Sequence, residues 1–373
     1  MDYPIRVLQI TDCIKHGAGV ASVIMNYYRH MDDSRVVFDF MVNEPVNGDI
    51  KREIEARGSR IFVMPSLSVR NTFKYKRELE DFFREHEGEY QIIHGHTPNA
   101  AAYYMPIAKK YGVPIRILHS HNSRGSDSKI KRVRNRIMSN VAIKNATHRF
   151  ACSKVAAEFL YGNDDAFILN NAIDLDGFAF DEEKRRQIRD ELGIDESTIL
   201  IGHIGRMAEQ KNHKFILEIA EALRGMGSGS SYKFLLLGDG PLRHDIERQI
   251  KAKNIEDMII LAGVVSNPRD YYQAMDEFIL PSLYEGLPVV GVEAQAAGLP
   301  TCISDKVTPE TMMVDNISML SFDNAKEWAD WIIENPHERS DNKKQLQEKG
   351  YDIKTEAGVL IDKYFELMDE RGI

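Results

Sequence analysis

The sequence predicts an α/β protein of two domains, each a parallel sheet with helices on both faces. Three observations carry this. At 373 residues the chain is longer than one hydrophobic core usually organises. Short apolar runs alternate with helical stretches from end to end, as buried strands do in βαβ units. The alternation breaks once, in the acidic, strand-poor stretch 174–197, and then resumes. Two Rossmann-like domains follow: residues 1–172 and 198–352, with a linker at 173–197 and a closing segment at 353–373. Open sheets of this kind bind ligands beyond the carboxyl ends of their strands. Two that face each other make a deep cleft.

Bulk properties narrow the class. Hydrophobic residues make up 43% of the chain, normal for a globular protein, and no apolar run approaches a membrane span. The N-terminus carries Asp2 and enters a strand pattern at once, unlike a signal peptide. Cys13, Cys152 and Cys302 are scattered, which argues for a reducing cytoplasm and against a disulfide framework or a zinc site. Residues 1–170 hold 25 Lys+Arg against 19 Asp+Glu, a net +6, while the remainder is −15. The halves therefore suit different partners. No aromatic-laced basic stripe or DNA-binding motif points to nucleic acid.

In the first series, Ile5 to Ile10, Val36 to Val42, Arg60 to Val63, Ile92 to His94, Ile115 to Leu118, Arg149 to Cys152 and Ala166 to Leu169 are short runs rich in Val, Ile and Phe and read as strands. Ala21 to His30, Lys74 to His86, Ala100 to Tyr111 and Lys154 to Tyr161 read as helices between them. In the second series the strands are Thr198 to Ile204, Tyr232 to Leu237, Met258 to Ala262, Glu277 to Pro281, Pro300 to Ser304 and Ser318 to Leu320. Thr355 to Glu370 reads as a final helix.

The polar motifs fall just after strands. His16-Gly-Ala-Gly-Val20 follows the first. Gly17 and Gly19 would bring backbone N–H groups close to a ligand. A competing reading is a dinucleotide fingerprint, Gly17-x-Gly19-x-x-Ser22 with Asp39 on the ribose, but it lacks the third glycine. His94-Gly-His96 and His119-Ser-His121 end two neighbouring strands, and four imidazoles suggest zinc. No carboxylate or cysteine accompanies them. Arg124 to Arg136 carries six basic residues against Asp127, with Ile130, Val133 and Ile137 at helical spacing. It suits an anionic membrane surface or an acceptor's pyrophosphate, and equally a solvated helix face. Asp174-Leu-Asp176 superficially looks like a metal-binding carboxylate pair, but its place after Asn170-Asn-Ala-Ile173 favours a turn or helix cap.

In the second domain, Gly202-His-Ile-Gly-Arg-Met-Ala-Glu-Gln-Lys-Asn212 places Arg206 and Lys211 in one loop with glycine at its base. A guanidinium grips phosphate bidentately and an ammonium adds a compact charge, so the pair can stabilise a departing diphosphate without a metal ion. Gly238-Asp-Gly-Pro241 follows the next strand, where its glycines allow a close approach to a ligand. Gly263 and Val265 follow the strand after that. The most informative stretch runs from Leu280 to Pro300. Phe278 to Leu280 ends a buried strand, Ser282 to Leu287 is a loop, Pro288 opens a helix, and Gly298 with Pro300 closes it. Glu285 lies in the loop and Glu293 on the helix. Backbone N–H groups near Gly286 and Leu287 would point outward at the positive end of the helix dipole. A phosphate there, flanked by two carboxylates that accept sugar hydroxyls, describes a nucleotide-sugar pocket.

Glu285 and Glu293, with seven residues between them, resemble the double-glutamate motif of retaining glycosyltransferases of the GT-B fold, family four. The resemblance extends over nearly the whole chain and is closest to bacterial enzymes that build exopolysaccharide and capsule. It implies that Glu285 contacts the donor sugar, Glu293 the ribose hydroxyls, and the Gly286 and Leu287 amides the diphosphate. It implies that Arg206 and Lys211 hold the diphosphate, Gly238 lies near the donor, and the backbone at Gly263 and Val265 meets the base. The family usually has a Gly-Gly pair where this chain has Ala18-Gly19, with Gly17 before it. Its sugar-contacting histidine matches His121, with His119 the close competitor, and its C-terminal helix crosses back to the first domain. Expected is a metal-independent, cofactor-free hexosyltransferase, cytoplasmic or peripheral on the inner membrane face. Its donor would be a nucleotide sugar with UDP, and its acceptor a lipid-linked saccharide. A sugar-nucleotide 2-epimerase of the same fold and a silent nucleotide-sugar-binding protein are the alternatives.

Overall fold

The computed structural model describes residues 4–68, 70–125, 128–163, 165–227 and 231–373, and the chain divides into two compact units. The first contains residues up to Ala172 together with Ile353–Ile373, and the second is Ile173–Asp352.

The first unit holds seven strands: β1 (Ile5–Ile10), β2 (Val36–Val42), β3 (Ile61–Val63), β4 (Ile92–Gly95), β5 (Ile115–Ser120), β6 (His148–Ala151) and β7 (Phe167–Ile168). They form one parallel sheet in the order β3-β2-β1-β4-β5-β6-β7. β4 and β5 are buried along their whole length, as expected of parallel strands covered on both faces. β1 pairs with β2 on one side and β4 on the other, so the order reverses between β1 and β4. Gln9 and His94 are partners in that register. The helix Ile353–Asp369 belongs to this unit and buries Ala357, Leu360, Ile361, Tyr364, Leu367 and Met368.

The second unit holds β8 (Thr198–Ile204), β9 (Ser231–Leu237), β10 (Ile259–Gly263), β11 (Glu277–Leu280), β12 (Thr301–Ser304) and β13 (Ile317–Leu320). They form a second parallel sheet in the order β10-β9-β8-β11-β12-β13, which reverses between β8 and β11. Phe215, Ile216, Ile219, Phe234, Leu236, Ile279, Cys302 and Trp328 are among the residues of its core.

Residues 173–197, read from the sequence as a linker, lie inside the second unit. They carry the helix Glu182–Leu192, started by an Asp181 side chain that accepts from Lys184 N and stopped by left-handed Gly193. The tie is polar. Arg189 is buried, pairs with Asp276 at 3.2 Å, and donates to the carbonyls of Asp195 and Thr198 at 2.6 Å. The helix Gly48–Ala56, also unforeseen, buries only Ile50 and Ile54. The basic segment of the first unit forms the helix Lys129–Asn145, capped by Ser128; it starts later and runs further than the sequence suggested. Asp127 lies outside the described residues, as does the Lys129 side chain. No helix among the described residues is long and apolar enough to cross a membrane.

Candidate functional site

In the second unit two loops meet beyond the carboxyl ends of β8 and β11, at the reversal of strand order, where open α/β sheets bind their ligands. After β8 the chain passes Gly205 and Arg206, makes one 3₁₀ turn at Glu209–Lys211, and enters the helix His213–Met226 through left-handed Asn212. After β11 it passes Ser282 to Leu287 and enters the helix Val289–Ala296. Lys211 Nζ lies 2.6 Å from Glu285 Oε1, with side-chain exposures of 16% and 10%. Gln210 Nε2 donates to the Tyr284 carbonyl at 3.0 Å and to Glu285 Oε2 at 3.3 Å, and Leu283 N donates to the Gln210 carbonyl at 2.8 Å. The residues either side of the cationic site therefore hold the glutamate loop in place. A charge-assisted bond of this kind contributes about 1.5–3 kcal/mol.

Arg206 is exposed and has no side-chain partner among the described residues. A guanidinium left available in this way suits a phosphate. Glu293 sits in the second turn of the Val289–Ala296 helix. Burial raises its carboxyl above the usual range, opposed by the Tyr272 hydroxyl, which donates to it at 2.9 Å, and by the Arg269 charge. Tyr272 is one of the functional neighbours that sequence reasoning missed, and Gln210 is another. Gln210 stands between the two residues Glu209 and Lys211, so its neighbour was the only available signal.

Gly238 and Gly240 bring a third loop in, but against protein and not only a ligand. A Cβ on Gly238, whose φ is 126°, would lie 2.1 Å from the Gly205 carbonyl oxygen, and one on Gly240 would lie 2.4 Å from that of Met207. Met207 N donates to the Asp239 carbonyl at 3.0 Å, and Gly238 N to that of Gly263 at 2.7 Å. The glycines thus let the loops after β8, β9 and β10 stack. Val265 is half-buried two residues past β10. His213 is buried beneath this loop system and pushed down to about 4 by burial and by the Lys211 charge, so it is neutral at ordinary pH.

Gly17, Gly19 and His121 belong to the first unit. Gly17 takes a left-handed φ of 76° in the turn after β1, and Gly19 is the first residue of the helix Gly19–His30. Asp39 is fully buried and held by Arg6, Arg60 and Tyr90, which keeps its carboxyl below the usual range despite burial. It cannot serve a ribose, so the dinucleotide reading fails. The four histidines cluster at the carboxyl ends of β4 and β5, His94 and His119 within the strands and His96 and His121 just after them. His94 Nε2 is 3.0 Å from His119 Nδ1, His96 Nδ1 is 2.8 Å from His121 Nε2, and His96 Nε2 is 2.8 Å from Gln9 Oε1. His94, His96 and His119 bring ligand-capable nitrogens within 4.8 Å of one another. Ring-to-ring hydrogen bonds use those lone pairs, so the cluster reads as a hydrogen-bonded network. His119 is fully buried, whereas His121 is partly exposed and is the one accessible to a ligand. Asp174 pairs with Arg269 at 3.2 Å and Asp176 pairs with Lys343, so both carboxylates are spent on ion pairs within the second unit.

Two family models match the chain: "Glycosyl transferases group 1" over residues 184–352 and "Glycosyltransferase Family 4" over residues 17–176. EpsF of Bacillus subtilis (strain 168), named as a glycosyltransferase, is 34% identical over 380 residues, covering 96% of each chain. The UDP-Gal:alpha-D-GlcNAc-diphosphoundecaprenol alpha-1,3-galactosyltransferase of Escherichia coli is 27% identical over 269 residues, 69% of each chain. Among solved structures, Anabaena Alr3699/HepE in complex with UDP and glucose superposes with a TM-score of 0.80, covering 96% of this chain and 99% of that one. Its identity is 16%, so the likeness is one of fold, that of the GT-B enzymes.

Proposed function

We propose that this chain, which belongs to the family 4 glycosyltransferases, moves a sugar from a uridine diphosphate-linked donor to a lipid-linked saccharide during exopolysaccharide or capsule assembly, retaining the anomeric configuration. The observation that carries the reading is the contact of Lys211 with Glu285 at the reversal of the second sheet, because it joins the cationic loop and the glutamate loop in one place. The donor class is supported by the UDP named for the Anabaena structure and the Escherichia coli relative. The lipid-linked acceptor is supported by the relative's name alone.

In this reading Arg206, Lys211 and the amides of Gly286 and Leu287 hold the diphosphate, Glu293 the ribose and Glu285 the sugar. Gly238 and Val265 frame the nucleotide, and Gly17, Gly19 and His121 act from the first unit. The anomeric carbon–oxygen bond to the diphosphate breaks while the acceptor oxygen bonds to the same face. The acceptor's hydroxyl proton passes to the departing diphosphate oxygen. Negative charge grows on the diphosphate in the transition state, and positioned cations stabilise it. They substitute for a divalent ion. The exposed Ile130, Val133 and Ile137 beside Lys131, Arg132, Arg134 and Arg136 would bring the first unit to an anionic membrane.

The test is a screen of UDP-sugars for thermal stabilisation and slow donor hydrolysis, followed by transfer to a lipid-linked acceptor with and without chelator. Proton NMR of the product reads the anomeric configuration. An inverted product would end the retaining reading, and loss of activity in chelator that metal restores would end the metal-independent one.

A further inference from the structure

The geometry of the first unit points to Gln9 and Tyr364 as positioning residues that set which ring nitrogen of His121 carries its proton. The inference rests on the reading of His121 as a group that meets the donor sugar.

A neutral imidazole offers one donor and one acceptor, and the partner of one nitrogen fixes the role of the other. All four clustered rings are neutral at ordinary pH. Burial pushes His94 down to about 3 and His121 to about 4, and holds His96 and His119 well below the usual histidine range. The tautomer, not the charge, is therefore the variable that a ligand would meet at His121.

The protons can be placed from the ends of the network. Tyr364 Oη accepts from Gln9 Nε2, and its own single proton then goes to His94 Nδ1, 2.7 Å away. His94 then keeps its proton on Nε2 and donates to His119 Nδ1. On the other arm, Gln9 Nε2 donates to Tyr364 Oη at 3.3 Å, and Gln9 Oε1 accepts from His96 Nε2 at 2.8 Å. His96 Nδ1 is left as an acceptor and takes the Nε2 proton of His121. His96 and His121 are thus Nε2–H tautomers, and His121 presents a lone pair at Nδ1, while on the other arm the buried His119 Nε2 has no partner among the described residues. His121 Nδ1 has no partner among the described residues either, and its ring is partly exposed. A lone pair there accepts from a sugar hydroxyl. Reversing the Gln9 amide would reverse His96 and His121 together and turn Nδ1 into a donor. Gln9 is the point where the direction is chosen. Tyr364 holds that choice, because its single proton goes to His94 and its oxygen faces the amide nitrogen. Both partners come from far apart in the sequence: Gln9 is the penultimate residue of β1, beside β4 at the reversal of the sheet, and Tyr364 comes from the C-terminal helix.

The full-length protein labelled with ¹⁵N-histidine tests this by long-range proton–nitrogen NMR, which reads each tautomer directly. The expected wild-type spectrum has His96 and His121 as Nε2–H. Gln9→Met keeps the volume without the amide; His121 should then populate Nδ1–H and kcat fall about tenfold, while UDP affinity stays unchanged. Tyr364→Phe should act in the same direction and serves as the second variant should Gln9→Met fold poorly. Gln9→Glu still accepts from His96 Nε2, so it should restore the tautomer and most of kcat, with the acid limb of the pH–rate profile moved to higher pH. A wild-type His121 protonated at Nδ1 would overturn the inference, as would an unchanged tautomer in both Gln9→Met and Tyr364→Phe, or a changed tautomer with unchanged kcat. Full activity in His121→Ala would instead end the reading of His121 as a sugar contact, and would leave the wild-type tautomers as they are.

Discussion

Lys211 Nζ and Glu285 Oε1 lie 2.6 Å apart, joining the loop after β8 to the loop after β11 where the order of the second sheet reverses. Neither side chain is well exposed, so each is costly to leave alone. Arg206, in the same loop, is exposed and takes no part in this pair. The two cations therefore differ in what their loss should do.

Arg206→Ala should weaken UDP binding by about 1.5–3 kcal/mol, the cost of one charge-assisted phosphate contact, and leave unfolding unchanged. Lys211→Ala should weaken both binding and stability, because it strands the Glu285 carboxylate. Adding Glu285→Gln to Lys211→Ala should recover stability without recovering turnover. Calorimetric titration with UDP and urea unfolding read the two effects separately. Unchanged UDP affinity in Arg206→Ala and Lys211→Ala alike would remove both residues from the site.

Gly238→Ala should cost about 2–5 kcal/mol, since the added Cβ combines a disfavoured φ of 126° with an overlap at 2.1 Å against the Gly205 carbonyl. The strain falls on the loop that carries Arg206, so UDP affinity should fall with stability. Gly225→Ala is the control. Gly225 lies in the helix His213–Met226, nothing lies within 4 Å of the new carbon, and alanine there should stabilise by up to about 1 kcal/mol. Equal urea midpoints for both variants would show that the loops do not stack as described.

What the sequence disclosed and what it concealed follow from range. Arg206, Lys211 and Glu285 were legible because they stand in the loops that follow β8 and β11, and Glu293 because it lies on the helix that Pro288 opens; glycine or proline marks each turn. Strands such as β4 and β11 were legible because both faces are buried and each carries an unbroken apolar run, Ile92-Ile93 and Phe278-Ile279-Leu280. The helix Glu182–Leu192 was read as linker because its tie to the second unit is Arg189, buried against Asp276, while Ile188 is its one buried apolar residue. Hydrophobic periodicity cannot report such an anchor. The glycines of Gly238-Asp-Gly240 were assigned to a ligand, whereas their closest demand is the carbonyls of Gly205 and Met207. Tyr272 behind Glu293, and Tyr364 behind Gln9 and His94, are contacts made by folding alone, and no local pattern announces them.

The pair of Glu277 and His337 should make a contribution to stability that falls as pH rises from about 5 to 8, against the opposite trend of the buried histidines His94, His96, His119, His121, His203 and His213, whose neutral forms burial favours. Burial raises the Glu277 carboxyl to about 7, while His337, 2.7 Å away, is itself raised chiefly by that hydrogen bond. A folded pKa above the unfolded value means stability that is present below the unfolded pKa and lost as pH climbs through the folded one. For Glu277 the loss begins near its ordinary value of 4.5 and is complete just above 7; for His337 it begins near 6.5. Both act in the same direction. Glu277→Gln should therefore gain about 1–3 kcal/mol of unfolding free energy at pH 8 relative to pH 5.5, compared with the wild type. A difference as large in the variant as in the wild type would show that the pair does not titrate across this range.

The helix Lys129–Asn145 exposes Ile130 at 83%, Val133 at 63% and Ile137 at 62%, an unusual outlay of apolar surface for a helix that also carries Lys131, Arg132, Arg134 and Arg136. A solvated face would have no reason to keep three aliphatic residues at that spacing. An anionic bilayer rewards both halves of the pattern: each basic side chain near the surface contributes about 1 kcal/mol, screened by salt, and the aliphatics enter the headgroup boundary. The net +6 of residues 1–170 against −15 for the rest directs the first unit and not the second toward such a surface. Replacing Lys131, Arg132, Arg134 and Arg136 with Gln should sharply reduce co-sedimentation with anionic vesicles at low salt. Ile130→Ser with Val133→Ser should reduce the binding that survives high salt. Transfer to a short, soluble acceptor should remain near the wild-type rate in both variants, because Arg206 and Lys211, proposed above to hold the diphosphate, belong to the second unit. Equal vesicle binding by wild type and quadruple variant, or no binding by wild type at low salt, would reduce this helix to an exposed face without a membrane role.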